Sequence, residues 1–179
     1  MYVSHHIAKP LLYAVLFSGS KLFKMEMQDY LTNLVQQARD KSFANSPQLS
    51  LGELIAEIEK CGTQKDNGED KEICYDFGTA IPTNLDSYRG SYNELALGYK
   101  LTGYDNDSEH LTEVKAKDLL QHLKDAIGKE YTGWKGGEYT MSEDTPVWVA
   151  NSGNTGSTAI VGILNDGWRL IILTAYVEF

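Results

Sequence analysis

Apolar residues recur at helical spacing in three stretches of the chain. In residues 27–41, "MQDYLTNLVQQARDK", they form one stripe and predict a first helix. Residues 50–62, "SLGELIAEIEKCG", predict a second helix with a capping box formed by Ser50 and Glu53 and a stop at Gly62. Its predicted buried face consists of Leu51, Leu54, Ile55 and Ile58.

The third predicted helix lies in residues 111–128, "LTEVKAKDLLQHLKDAIG". We expect it to begin at Thr112 or Ser108 and to end at Gly128. Its predicted core stripe consists of Val114, Leu119, Leu120, Leu123 and Ile127.

Alternating apolar residues predict strands elsewhere. Residues 73–78, "ICYDFG", read as a short strand, and residues 79–86, "TAIPTNLD", as a loop. Residues 92–101, "YNELALGYKL", alternate as in a strand, with a helical turn at 93–97 as the rival interpretation. After residue 128, glycines separate "TPVWVAN", "STAIVGIL" and "WRLIILTAYVEF", which are rich in β-branched and aromatic residues. The "NDG" before Trp168 predicts a hairpin turn, so this third of the chain predicts an antiparallel meander.

Helices followed by strands predict an α+β fold, with a mainly antiparallel β-sheet and about three helices packed on one face. We expect residues 25–179 to form a single domain and residues 1–24 to be an N-terminal extension of uncertain relevance. The apolar run at residues 11–17 is too short to cross a bilayer, and Met25 and Met27 open a more ordinary start.

Charge narrows the classes of partner. The 179 residues include 16 Lys and Arg against 25 Asp and Glu, for a net charge of −9. A protein that binds nucleic acid nonspecifically needs a surplus of cations, and docking on an anionic membrane needs the same, so we expect neither. One small anion, or a basic protein partner, remains compatible with this charge. Two cysteines, Cys61 and Cys74, fit reduced thiols in a cytoplasmic protein better than a disulfide.

Motifs of catalysis and cofactor binding do not occur in the sequence. Neither a phosphate-binding loop nor a GxSxG nucleophile elbow is present, and the four histidines lack metal-ligand spacing, so we expect no cofactor and no metal. "SGNTGST" fits a hairpin loop or an anion-binding backbone nest. Glu138, Glu143 and Asp144 are the candidates for acid–base work if the protein is a hydrolase.

The stretch "DSYRGSYNELALGYK", residues 86–100, sets one arginine among tyrosines and beside Gly90. Arg89 offers a planar fork of donors for phosphate or carboxylate, and tyrosine rings offer faces for stacking. The alternative is that Arg89 pairs with Asp86 or Glu94 and the tyrosines rim the core. As a binding set for an anion that carries a flat ring, the predicted residues are Tyr88, Arg89, Tyr92, Trp134, Asn151, Asn154 and Thr155.

Two stretches carry a resemblance. "YDFG…PT.LDSYRGSYNELALGY", residues 75–99, and "GGEYTM…TPVWVAN.GNTG", within residues 119–163, resemble a group of small uncharacterised proteins encoded by bacteriophages and prophages. The likeness covers approximately residues 49–176 and leaves out residues 1–24. It implies a setting in the cytoplasm of a bacterial host and, by association, a role against host defence.

Three functions follow as hypotheses. The first is a non-catalytic protein that binds a small anionic, nucleotide-like ligand, and so could sequester a signalling nucleotide. The second is an acidic inhibitor that binds a host defence protein through loops such as "DNGEDKE" and "YDNDSEH". The third is a small hydrolase. A homo-oligomer is a further expectation, because flat β surfaces around Trp148 and Trp168 suit burial by a second copy.

Overall fold

A computed structural model of the protein describes residues 21–45, 48–77, 79–101, 114–150 and 156–177. Contacts divide the chain into two compact units, Met1–Gln37 and Ala38–Phe179. The predicted boundary between residues 24 and 25 stays a prediction. In chain order, the elements are α1 (Lys21–Asn45), α2 (Leu51–Cys61), β1 (Glu72–Tyr75), β2 (Ala80–Ser87), β3 (Leu95–Leu101), α3 (Ala116–Ala126), β4 (Glu130–Thr132), β5 (Glu138–Thr140), β6 (Val147–Val149), β7 (Thr158–Asn165) and β8 (Arg169–Tyr176).

Six strands form one sheet in the order β1-β8-β7-β6-β3-β2, and β4 and β5 form a separate two-stranded hairpin. The pairs β2–β3, β6–β7 and β7–β8 are antiparallel, as is β4–β5. The pairs β1–β8 and β3–β6 are parallel. The prediction of an α+β fold with a mainly antiparallel sheet and about three helices is confirmed.

Helices α2 and α3 cover one face of this sheet. Helix α2 packs against β7 and α3, and α3 also packs against β2. Their apolar side chains join those of the strands in one hydrophobic core. The largest fully buried side chains of the core include Leu51, Leu54, Ile58, Leu119, Leu123, Ile160 and Ile172.

The predicted ends of α2 are confirmed. Ser50 Oγ accepts a hydrogen bond from the Glu53 backbone N–H, and the Glu53 carboxylate accepts one from the Ser50 N–H. At the other end, Lys71 is only 5% exposed, and its Nζ donates to the carbonyl oxygens of Cys61 and Gly62 at 2.9 and 3.0 Å. The helix ends at its predicted C-cap, Gly62, whose φ is 68° and whose N–H donates to Glu59 O. The buried ammonium satisfies carbonyls at this end and interacts favourably with the helix dipole.

A buried carboxylate ties the last part of α1 to the sheet. Asp76 has no exposed side-chain surface, and its Oδ2 accepts from Arg39 Nε and Nη2 at 2.9 and 2.6 Å. The same oxygen accepts from the Thr174 N–H at 2.9 Å, and Oδ1 accepts from the Thr174 hydroxyl at 2.7 Å. Because a buried charge is tolerated only when it is paired and hydrogen-bonded, this network defines where the arginine lies.

Three local predictions were wrong. Residues 80–87 are the edge strand β2 and not a loop, with an irregularity between Pro82 and Leu85 that accommodates the proline. Helix α3 begins at Ala116, after an N-cap at Lys115, so Val114 lies outside it. Ile127 is 37% exposed and does not join the core. Thr112 and Ser108, the predicted starting residues, lie outside the described residues.

Candidate functional site

The loop between β2 and β3 and the hairpin β4–β5 lie side by side. The loop is short and tightly turned, with hydrogen bonds from Tyr88 N to Glu94 O and from Glu94 N to Ser91 O, both 2.8 Å long. Strand β4 contacts β2, which places the hairpin next to this loop. Segments about forty residues apart in sequence therefore share one surface.

Gly133 allows the two segments to approach closely. It is buried, and a Cβ there would lie 3.0 Å from Cε2 of Tyr139 and 3.1 Å from Cβ of Tyr92. The Tyr92 and Tyr139 rings have centroids 6.3 Å apart and are tilted by 33°. The absent side chain at Gly133 thus leaves room for two tyrosines to join the loop to the hairpin.

Arg89 of the loop and Trp134 of the hairpin are in contact. The guanidinium carbon of Arg89 lies 5.7 Å from the centroid of the indole ring of Trp134, which is the geometry of a cation–π pair. Trp134 is 70% exposed, and Arg89 is exposed too. We call Arg89 and Trp134, with Tyr92 and Tyr139 beside them, the Arg89–Trp134 platform.

The two nearby carboxylates are engaged elsewhere. Oδ1 of Asp86 accepts from the Ser87 N–H at 2.7 Å, and the Glu94 carboxylate accepts from Nε1 of Trp148. Within the part of the chain that the structure describes, Arg89 forms no ion pair. The alternative pairing of Arg89 with Asp86 or Glu94 is therefore not seen.

Tyr88 supports the platform from inside. It is 4% exposed, and its ring stacks on that of Trp148 with centroids 5.0 Å apart and 15° between the planes. Its hydroxyl oxygen accepts from the Ser157 N–H at 3.0 Å. Gly90 lies against the same ring, since a Cβ there would come within 2.6 Å of Cε1 of Tyr88. The glycine beside the arginine is thus required by the packing of Tyr88.

The predicted site residues divide into three groups. The structure brings Arg89, Trp134 and Tyr92 together at one surface, whereas Tyr88 is buried and stacked on Trp148. Asn151, Asn154 and Thr155 lie outside the described residues. Of their flanks, Ala150 N donates to Leu97 O in β3, and Ser157 N donates to the Tyr88 hydroxyl.

Sequence reasoning missed Tyr139 and Gly133. A signal for the hairpin was nevertheless present, because "EYT" occurs at 130–132 and again at 138–140, on both sides of the glycine-rich "GWKGG". The two copies pair in register, with Tyr131 opposite Tyr139. The hydrogen bond between Trp148 and Glu94 had no sequence signal, because their contact joins residues 54 apart.

The carboxylates proposed for acid–base work are all exposed. Glu138 is hydrogen-bonded to Glu130 across the hairpin, and this contact between like charges raises the pKa of Glu130. Glu143 and Asp144 lie in the connection between β5 and β6, where the Glu143 carbonyl accepts from Gly52 N at 2.8 Å. The described residues contain no cluster of three or more His, Cys, Asp or Glu side chains that could hold a metal ion.

Other expectations concerned the cysteines, the membrane and the tryptophans. Cys61 and Cys74 are both free, and burial raises the pKa of each thiol. None of the helices in the described ranges is long and apolar enough to cross a membrane. Trp148 is buried within the chain, whereas Trp168 is 63% exposed and lies beneath the Lys65 ammonium.

Comparison with known proteins adds no relative, because no family model, no curated protein and no solved structure matches the chain.

Proposed function

We propose that the protein binds a small anionic ligand carrying a flat ring, such as a nucleotide, at the Arg89–Trp134 platform. The observation that carries this proposal is an exposed arginine that lies over an exposed indole and forms no ion pair with a described residue. The arginine supplies paired donors for a phosphate or carboxylate, and the indole supplies a face for the ring.

The charge of the protein makes this arginine notable. The chain carries nine more acidic than basic side chains, yet the carboxylates nearest to Arg89 in sequence are bound to other donors. Lys135 follows Trp134 directly in the same turn and is exposed, so a second cation lies at the tip of the hairpin. Two cations beside an exposed ring suit a ligand that combines an anion with an aromatic base.

We propose binding without turnover. Arg89, Trp134, Tyr92 and Tyr139 provide stacking surfaces and hydrogen-bond donors, whereas covalent catalysis needs a nucleophile beside a base. In the setting of a bacteriophage accessory protein, a binder of this kind would sequester a nucleotide signal of host defence in the bacterial cytoplasm. The resemblance to phage-encoded proteins supports that setting by association only.

The first test is to identify what the purified protein retains. Small molecules released by denaturation are identified by mass spectrometry, and a panel of mono- and dinucleotides is screened for stabilisation against heat. We expect a bound or stabilising nucleotide, recovered unchanged, which Arg89→Gln no longer retains. Lys100→Gln, which removes an exposed cation from β3, is the matched control and should behave as the wild type. A ligand retained equally by both variants would contradict the proposal.

A second candidate function is binding of a basic protein, such as a host nuclease. The specific observation is the pair of Glu130 and Glu138, whose exposed carboxylates face each other on the hairpin and raise the pKa of Glu130. A lysine or arginine of a partner would relieve this repulsion. In a pull-down from host lysate, Glu130→Gln with Glu138→Gln would abolish capture of such a partner, while Arg89→Gln would not.

A further inference from the structure

The Trp148 indole stacks on Tyr88, the residue just before Arg89, and its N–H donates to the Glu94 carboxylate. We propose that Trp148 is a positioning residue, which holds the Glu94 carboxylate through its indole N–H and so prevents Glu94 from neutralising Arg89. This inference rests on the proposed function, because it concerns the selectivity of the same platform for anions.

Glu94 is the carboxylate within the loop that carries Arg89. It closes the loop that carries the arginine, since its carbonyl accepts from the N–H of Tyr88, the residue just before Arg89. Glu94 lies five positions after Arg89 in a tight turn, and both side chains are long and flexible. Glu94 is half-buried and Arg89 is exposed, so an ion pair between them would form at the protein surface.

Trp148 keeps Glu94 from that ion pair. Its Nε1–H donates to Oε2 of Glu94, and an indole N–H has donor capacity only, so it suits a carboxylate. The indole itself is 3% exposed and is fixed by stacking on Tyr88 and by its place in β6, between β3 and β7. A rigid donor on a central strand therefore holds a flexible carboxylate from the neighbouring loop.

A series of packing contacts links Gly90 to the Glu94 carboxylate and so affects the charge around Arg89. Gly90 admits the Tyr88 ring, the ring stacks on Trp148, and Trp148 binds Glu94. Arg89 then extends toward Trp134 with its donors unclaimed by the carboxylates of its own loop. Loss of the indole N–H should turn Arg89 from an anion-binding residue into half of a surface ion pair.

The test compares wild type, Trp148→Phe, Glu94→Gln and the double variant, with adenosine 5′-monophosphate as the probe. We expect Trp148→Phe to weaken binding about three- to tenfold, the effect of one nearby charge, and the double variant to restore it. Glu94→Gln alone should bind within about twofold of wild type, because its amide oxygen still accepts from Trp148 and its charge was already withdrawn. Restoration by a second substitution cannot come from a general loss of packing.

Two results would overturn the proposal. One is weakened binding in Trp148→Phe that Glu94→Gln fails to restore, and the other is much tighter binding in Glu94→Gln alone. The second result is measured with Trp148 unchanged, so the proposal can be rejected even if Trp148→Phe does not fold.

A measurement without ligand separates this inference from the proposed function. The Arg89 Nε–H resonance is recorded by NMR in all four ligand-free proteins. We expect Glu94→Gln to leave it unmoved in the wild-type background and to shift it in the Trp148→Phe background, where the ion pair has formed. No shift in either background would reject the role of Trp148, whatever adenosine monophosphate does. Absence of nucleotide binding by the wild type would reject the proposed function alone.

Discussion

Gly90 shows how a single missing side chain shapes the loop that carries Arg89. A Cβ at this position would come within 2.6 Å of the Tyr88 ring, and that ring is itself fixed between the loop and Trp148. Gly90 is therefore needed for the packing of Tyr88, and its neighbour Arg89 is exposed to solvent.

Gly90→Ala should therefore destabilise the protein. Overpacking against a fixed ring costs about 1–3 kcal/mol, so we expect a lower midpoint of unfolding in urea. Asn93→Ala, an exposed position in the same loop, is the control and should change the free energy of unfolding by less than about 0.5 kcal/mol. Equal stability of Gly90→Ala and wild type would show that Tyr88 is not fixed.

We expect the stability of the folded protein to depend on pH through Glu130. Hydrogen bonding and repulsion from Glu138 raise the pKa of Glu130 in the folded state. The folded protein then binds a proton more tightly than the unfolded chain, so this pair favours folding at low pH and loses that contribution as pH rises through the raised pKa. Other carboxylates act in the opposite direction, as at Glu69, whose pKa is lowered by hydrogen bonds from Asn67 and Lys65.

The contribution of the Glu130–Glu138 pair to stability is obtained by comparing variants with the wild type at each pH. Relative to wild type, Glu138→Gln should gain stability at neutral pH and lose that advantage as the pH falls below the raised pKa of Glu130. Glu143→Gln, at another exposed position, should show no such crossover. The measurement is the urea midpoint of each protein across the acid range, and parallel curves would contradict the like-charge contact.

At the scale of elements, sequence patterns predicted those elements whose signals are local. Helix α2 has its capping box and apolar face within thirteen residues, and both were read correctly. Strand β2 was missed because Pro82 and the polar Thr83 and Asn84 resemble a loop. The structure tolerates them because β2 is an edge strand with an irregular register. The start of α3 was misplaced because Lys115, its N-cap, makes no side-chain capping bond.

One ion pair, between Arg39 and Asp76, joins the last part of α1 to the sheet. Removing Arg39 would leave Asp76 buried with only the two donors of Thr174. We expect Arg39→Met to cost about 2–3 kcal/mol, less than a fully buried pair because the arginine is partly exposed. Adding Asp76→Asn should recover part of this loss, because the buried charge is then gone.

Lys41→Ala, an exposed cation on the same helix, is the matched control for Arg39→Met. Urea unfolding of the four proteins provides the comparison. If Lys41→Ala and Arg39→Met cost the same, the network around Asp76 contributes only as a surface ion pair would.

At the scale of the whole molecule, the parallel strand pairs and the Arg89–Trp134 platform could not be predicted from the sequence. Pairing of β1 with β8 joins residues nearly one hundred positions apart, and no local pattern encodes it. The same holds for Arg89 and Trp134, which were each predicted as site residues but meet only because β4 packs beside β2. Candidate site residues could therefore be chosen from the chemistry of their side chains, whereas their arrangement in space depends on how the strands pack.

Calorimetric titration of adenosine 5′-monophosphate tests the central claim most directly. We expect one binding site in the wild type, with affinity reduced about tenfold by Arg89→Gln and about tenfold by Trp134→Ala, the effects of one charge-assisted contact and one stacked ring. Trp168→Ala, which removes the other exposed tryptophan, should bind as the wild type does. Binding that is unaffected by Arg89→Gln and Trp134→Ala, or no binding at all, would contradict the assignment of the platform.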